Sequence, residues 1–227
     1  MDFSPLLWDQ DHRPVGFEGR AGAAFGGRHR WNLAAGAHAL EHPLGGSARF
    51  AAVQAGVNLF EGGRSSAEVL LAWLGFDRLQ GLADAGLARG NTLAAGAYAN
   101  DYRLLDLQMV WRHQFARAPL QLRLDLVRNL GADTRRDGAR ASAVYGDRWQ
   151  PGAWEIGFAW QRAQSDAVLA AASADDWWFR AGARGHMPWI GVALGRNWSA
   201  RAAVFLERRD GLDARTDRLL LDLEGRW

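Results

Sequence analysis

The sequence predicts an all-β fold, an antiparallel up-and-down transmembrane β-barrel, from three observations. Apolar and polar residues alternate with a period of two in segment after segment, which puts them on opposite faces of a strand. Aromatic residues sit near the ends of those segments, at Trp111, Phe115, Trp154, Trp189, Trp198 and Trp227. Connections alternate between short turns and longer polar loops, the rhythm of barrel hairpins that face opposite sides of a membrane. Alternation and turn signals together indicate about 11–12 strands. The whole chain, 1–227, is expected to be one β-barrel or the C-terminal part of a larger one.

The elements follow in order. In "VGFEGRAGAAF", Phe17, Ala21 and Phe25 oppose Glu18 and Arg20. "RWNLAAGAHAL" and "AEVLLAWLGF" are expected strands whose facing the pattern leaves open. In "RFAAVQAGVNLF", Val53, Val57 and Leu59 oppose Gln54 and Asn58. Segment 77–102 is the longest connection, with room for a short helix or an extra strand pair. In "LLDLQMVWRHQF", Leu105, Leu107, Met109, Trp111 and Phe115 alternate with Asp106, Gln108 and Arg112. In "PLQLRLDLV", Leu120, Leu122, Leu124 and Leu126 share one face, and Gln121, Arg123 and Asp125 the other. In "AWEIGFAWQR", Trp154, Ile156, Phe158 and Trp160 oppose Glu155 and Gln161. In "WSARAAVFLER", Trp198, Val204 and Leu206 oppose Arg201 and Glu207. The closing "RTDRLLLDLEGRW" sets Leu219, Leu221, Leu223 and Trp227 against Arg218, Asp222, Glu224 and Arg226. Segments 116–119, 147–152 and 195–197 read as tight connections, whereas 129–138, 164–176 and 208–216 are longer and polar.

Composition supports strands. The chain carries 27 glycines and only 6 prolines, with 12 tryptophans. Glycine is costly inside helices but serves where strands bend or side chains crowd. A soluble sandwich also alternates, but there every apolar face must meet a second sheet. Here the Trp-, Phe- and Leu-rich faces have no evident partner layer. In lipid every backbone polar group must be paired internally, which a closed barrel achieves without edges. No stretch approaches the roughly 18 apolar residues of a spanning helix. The opening "MDFSPLLWDQDHRPVG" has neither a basic n-region nor an apolar h-region, so no signal peptide is read there. Cysteine is absent, which excludes disulfides and thiolate metal sites.

The formal net charge is +2, and every basic residue is arginine, scattered among carboxylates rather than gathered in a run. That distribution argues against a nucleic-acid partner. His38 and His42 are four apart, but their segment reads as strand into turn and Pro43 follows, so no metal pair is expected. The glycine-rich "GRAGAAFGG" lacks the strand–loop–helix context of a nucleotide loop. No nucleophile–base arrangement stands out. Neither an enzyme nor a cofactor is expected.

The polar set is then the expected pore lining: Glu18, Arg20, Gln54, Asn58, Asp106, Gln108, Arg112, Arg123, Asp125, Glu155, Gln161, Arg180, Arg184, Arg201, Glu207, Arg218, Asp222, Glu224 and Arg226. Any one of them is first a solvated or ion-paired wall position. As a set they would bias which ions or solutes pass. The expected lipid-facing set is Leu120, Leu122, Leu124, Trp154, Ile156, Phe158, Leu219, Leu221, Leu223 and Trp227.

Several motifs resemble a bacterial porin family of outer-membrane β-barrels. They are "YANDYRLLDLQMVW", "LRLDLVRNLGAD", "GAWEIGFAWQRAQSDAVLA", "DDWWF" followed by "RGH", and "DRLLLDLEGRW". "MDFSPLLWDQDHRPVGFEG" and "QAGV" are similar too, and the likeness is strongest from 89 to 227. It implies passive diffusion of small solutes or ions across a bacterial outer membrane. It also implies partners in outer-membrane lipid and, through the C-terminal strand, in the barrel-insertion machinery, with an oligomer allowed. Family members carry a signal peptide and further N-terminal strands, so the chain is expected to be a shortened member. The alternative is a non-conducting barrel with a structural or adhesive role.

Overall fold

The computed structural model describes every residue except Gln10, Arg13, Asp175, Trp178 and Trp227. Strands dominate it: β1 (Val15–Phe25), β2 (His29–Glu41), β3 (Ser47–Leu59), β4 (Ser65–Asp77), the short pair β5 (Leu93–Ala94) and β6 (Ala97–Tyr98), β7 (Arg103–Gln114), β8 (Pro119–Asn129), β9 (Asp137–Gly146), β10 (Trp154–Ala163), β11 (Ala183–Ala193), β12 (Trp198–Arg209) and β13 (Arg215–Gly225). One short helix, α1 (Gln80–Asp84), lies between β4 and β5. Among the described residues no helix is long and apolar enough to cross a membrane.

All the long strands form one sheet of 11, in the order β1-β2-β3-β4-β7-β8-β9-β10-β11-β12-β13. Each neighbour pair is antiparallel, so the topology is up-and-down throughout. The sheet is open. Among the described residues β1 and β13 do not pair. With an odd number of alternating strands the two edges run in the same direction. Joining them directly would need a parallel seam, which an antiparallel meander does not make.

Alternation resolves into a concave and a convex face. Along β3 the even-numbered residues from Ala48 to Gly56 are buried and the intervening ones exposed. Register carries that parity across the sheet, through Leu70↔Gln108, Gln108↔Asp125, Asp125↔Arg140 and Arg140↔Gln161. It also settles the two strands left open by pattern: Leu70, Leu74 and Phe76 of β4 face inward, as does Leu40 of β2. β9 has weak periodicity because Gly or Ala occupies positions on both its faces, and β11 because Gly or Ala takes four of its inward positions while Arg184 and His186 stand on its outward face.

The connections 26–28, 60–64, 115–118, 147–153 and 194–197 lie at one end, and 42–46, 78–102, 130–136, 164–182 and 210–214 at the other. We call these the turn end and the loop end. The concave face is filled at the loop end. Leu6, Leu7, Leu82, Leu87 and the run Ala167–Ala172 pack against Phe50, Leu74 and Leu104 of the wall. Polar side chains pin the run in place. Asn91 Nδ2 donates to the Ser165 and Val168 carbonyls (2.6 and 2.8 Å). Asp166 accepts from Thr92 N (2.9 Å), Thr92 Oγ1 (2.7 Å) and Tyr102 Oη (3.2 Å). Asn129 Nδ2 donates to the Asp101 and Asp166 carbonyls, both at 2.9 Å. The segment expected as a long polar loop is therefore an inward-folded plug. Its alanines are small enough to lie against one another, and its backbone amides find partners inside.

Candidate functional site

The interior polar wall divides into two networks. Near mid-height, Gln54 and Gln108 hold the Asp2 backbone: Asp2 N donates to Gln54 Oε1 (2.9 Å), and Gln54 Nε2 and Gln108 Nε2 donate to the Asp2 carbonyl (2.5 and 3.2 Å). Arg123 donates to Asp125 Oδ1 (2.8 Å) and Gln108 Oε1 (2.5 Å). Gln108 also donates to Asp106 (2.7 Å), and Arg140 donates to Gln161 (3.0 Å). Burying a charge is expensive unless it is paired and hydrogen-bonded. Here one guanidinium serves a carboxylate on its own strand and an amide on the next.

Toward the turn end, Arg148 donates to Glu155 Oε1 (3.0 Å) and Glu224 Oε1 (2.5 Å) and approaches Ser199 Oγ (3.4 Å). Arg201 pairs with Asp222 (2.8 Å) across β12 and β13. Arg112 bridges Gln121 (3.0 Å) and Glu68 (3.5 Å). Gly157 and Gly191 make this packing possible. A Cβ on Gly157 would stand 2.0 Å from the Trp189 ring, and one on Gly191 would stand 2.7 Å from Arg148 Cδ. These two flats let the long side chains lie across the inner wall.

Between the networks is a chamber of about 370 Å³. Arg123, Arg140 and Arg201 line its wall, and Asp9, Asp11 and Asp176 reach it from the inward-folded segments. Arginines on one side and carboxylates on the other create a field across the space, and Gln121 and Ser142 add neutral polar contacts. Such a lining suits hydrated ions or small polar solutes better than apolar ones.

Most of the expected lining faces inward: Glu18, Arg20, Gln54, Asn58, Asp106, Gln108, Arg112, Arg123, Asp125, Glu155, Gln161, Arg201, Glu207, Arg218, Asp222 and Glu224 share the concave parity. Glu18 and Arg20 pair with each other. Arg218 lies over the Phe205 ring at 4.4 Å. Arg226, past the end of β13, covers the Trp149 ring at 3.5 Å.

Two positions need correction. Arg184 is on the convex face, because Gly185 and Met187 take the inward positions of β11. Glycines on its inward face, and Arg184 and His186 beside Ile190 and Val192 on its outward face, hid the parity of β11. Arg180 is not on a strand; it is buried in the connection 164–182, against the Ala170 and Ser173 carbonyls (3.4 and 3.5 Å). Trp189 also departs from the expected aromatic girdle. It points inward, and its Nε1 donates to Glu155 (2.8 Å).

The expected lipid-facing residues Leu120, Leu122, Leu124, Trp154, Ile156, Phe158, Leu219, Leu221 and Leu223 all share the convex parity. Trp227 lies outside the described residues. Sequence reasoning missed Arg140 and Arg148. Arg140 sits in a strand without clear alternation, and Arg148 in a turn, so neither carried a facing signal.

At the turn end Ser65 Oγ lies 2.7 Å from His113 Nδ1, as cross-strand neighbours of β4 and β7. The imidazole packs between Trp111 and Phe115 (5.6 and 4.4 Å). A hydrolytic triad also requires a group that orients the imidazole, and no such partner of His113 appears among the described residues. Nor do they hold a group of three metal-ligating side chains. No protein-family model, curated protein or solved structure matches the chain.

Proposed function

We propose that this chain forms wall and lumen of an outer-membrane porin, through which small solutes or ions diffuse passively. The observation that carries the reading is the division of one antiparallel sheet into an apolar convex face and a charged concave one. Leu71, Trp73, Leu122, Ile156, Phe158, Ile190, Leu219 and Leu221 are all exposed on the convex side. So large an apolar surface is uncommon on a soluble monomer. Trp31, Trp111, Trp154 and Trp198, all exposed near the turn end, are suited to a membrane interface. Long strands of 10–13 residues fit the span of a tilted transmembrane strand. The likeness of the strand motifs to porins supports the same conclusion.

In lipid, both sheet edges need partners, since each unpaired backbone group in hydrocarbon costs several kcal/mol, on the order of a lost hydrogen bond in an apolar medium. An odd number of further strands between β13 and β1 would close the barrel with antiparallel seams throughout. The C-terminal strand would serve as the signal to the insertion machinery.

A second reading has its own observation. The loop end is filled by Leu6, Leu7 and Ala167–Ala172, which suits a closed barrel with a structural or adhesive role. Planar-bilayer recording separates the two. The porin reading expects discrete conductance steps, and a shift toward cation preference when Arg123→Glu and Arg201→Glu are combined. A barrel that folds, inserts and conducts nothing supports the second reading. A folded, water-soluble monomer without detergent overturns both.

A further inference from the structure

Four arginines stand side by side on the convex face. Register places Arg162 opposite Arg184, Arg184 opposite Arg208, and Arg208 opposite Arg215, on four adjacent strands at the loop end. All four are exposed. Directly opposed side chains have Cβ atoms roughly 5 Å apart, and like charges in that position destabilise a sheet. Arg215 is relieved by Asp217 (2.6 Å). Among the described residues Arg162, Arg184 and Arg208 make no ion pair.

The other half of the same rim is built differently. There Arg49 faces Asp77 in register, Arg103 pairs with Asp101 (3.0 Å), and Arg128 pairs with Asp137 (2.6 Å). On this side Arg103 and Arg128 are paired and Arg49 stands opposite a carboxylate, whereas Arg162, Arg184 and Arg208 on the other side stand opposite arginines. Just below the bare row the surface becomes apolar. Trp160 opposes His186, and His186 opposes Leu206, with Phe158 opposing Pro188 beyond them. Beside the row is a groove of about 660 Å³, lined by Leu71, Leu105, Leu107, Leu126 and Trp160, with Arg162 and the paired Arg128 and Asp137 at its charged end. Small Gly138 and Ala139 of β9 leave the groove open between its bulky neighbours.

We propose that this strip binds a phosphorylated lipid of the outer leaflet, with its phosphate on Arg162, Arg184 and Arg208 and an acyl chain in the groove. The proposal rests on the membrane reading above. Charge and shape both argue for that occupant. The described residues supply no counter-charge to these three, and planar guanidiniums match phosphate geometry. An apolar groove that reaches Arg162, the first of that row, fits an amphiphile rather than a free anion. Basic groups at a membrane surface each add measurably to the attraction for anionic headgroups.

The test uses the full chain and two triple variants, Arg162→Gln/Arg184→Gln/Arg208→Gln and Arg49→Gln/Arg78→Gln/Arg103→Gln, which remove equal charge; the second leaves the groove lining untouched. Insertion is checked first, by heat-modifiable gel mobility in phosphatidylcholine vesicles with and without lipid A. Native mass spectrometry then measures retained lipid A against retained phosphatidylcholine. The wild type and the second variant should prefer lipid A, and the first variant should lose that preference by on the order of tenfold or more. Equal loss in both variants, or no preference in an inserted wild type, overturns the inference alone. Complete displacement of lipid A by inorganic phosphate assigns a free-anion site and also overturns it. Failure of the wild type to insert into either vesicle overturns the inference together with the membrane reading.

Discussion

At Arg148 a single guanidinium joins a turn to three strands, through Glu155 of β10, Ser199 of β12 and Glu224 of β13. Its side chain and that of Glu155 are both 13% exposed. Removing one partner of a largely buried pair leaves the other charge without compensation. Arg148→Met should therefore cost about 2–3 kcal/mol, read as a lower urea midpoint for unfolding from vesicles. Gly157 makes a complementary prediction. Gly157→Ala places a methyl where the Trp189 ring lies, so the ring must leave Glu155. Overpacking of this kind costs about 1–3 kcal/mol, and near-ultraviolet circular dichroism should report the displaced indole. His42, at the loop end, carries a pH dependence. Burial first, then the charges of His12, Arg180 and Arg89, hold its imidazole below the usual histidine value, with Asp9 acting the other way. Folded His42 thus stays neutral at a pH where the undocked residue has taken a proton. Its contribution is present above about pH 6.5 and is lost as the pH falls below that value. His12 lies 5.3 Å from it and Trp8 lies 5.7 Å from His12. Loosening of the N-terminal segment should appear as a change in tryptophan emission between pH 7 and 5, and His42→Gln should flatten it. An unchanged profile in that variant would point to a different titrating group.

Among the elements, the run Ala167–Ala172 shows where reading by pattern reaches its limit. "QSDAVLAAASADD" has the polar ends of a loop and too few large apolar residues to suggest a core. It becomes core because Asn91, Asn129, Tyr102 and Thr92 satisfy its polar groups, and these lie between 37 and 79 residues away. Asp166→Ala removes the acceptor for three of those bonds. Segment 164–174 should then become sensitive to protease while the wall keeps its strand content. If the plug restricts passage, the same variant should raise conductance. By contrast, β8, β10, β12 and β13 were readable directly. Each alternates apolar and polar residues over most of its length, and each faces there as alternation requires. β11 was not, since Gly185 and Gly191 occupy inward positions and give no hydrophobic signal. The facing of Arg184 and Trp189 was lost with it.

For the molecule as a whole, edge strands should be less protected than central ones. All of β1 is exposed, and one side of its backbone has no strand partner. Hydrogen exchange in detergent should be fast along the free edges of β1 and β13 and slow in β7 through β9. Slow exchange at both edges would mean that they are covered, by further strands or by another copy. Composition and alternation determined that this chain is all-β, that its strands form hairpins, and which face of most strands is apolar. That much is local, because a strand's facing depends only on whether a residue is odd or even in sequence. Tertiary structure alone decided that the sheet of 11 strands stays open, because closure depends on how the two edges are oriented. It alone decided that 164–174 folds inward, because the partners that satisfy it come from distant segments. And it alone lined up Arg162, Arg184, Arg208 and Arg215, since register between strands, not spacing along the chain, makes those four residues neighbours.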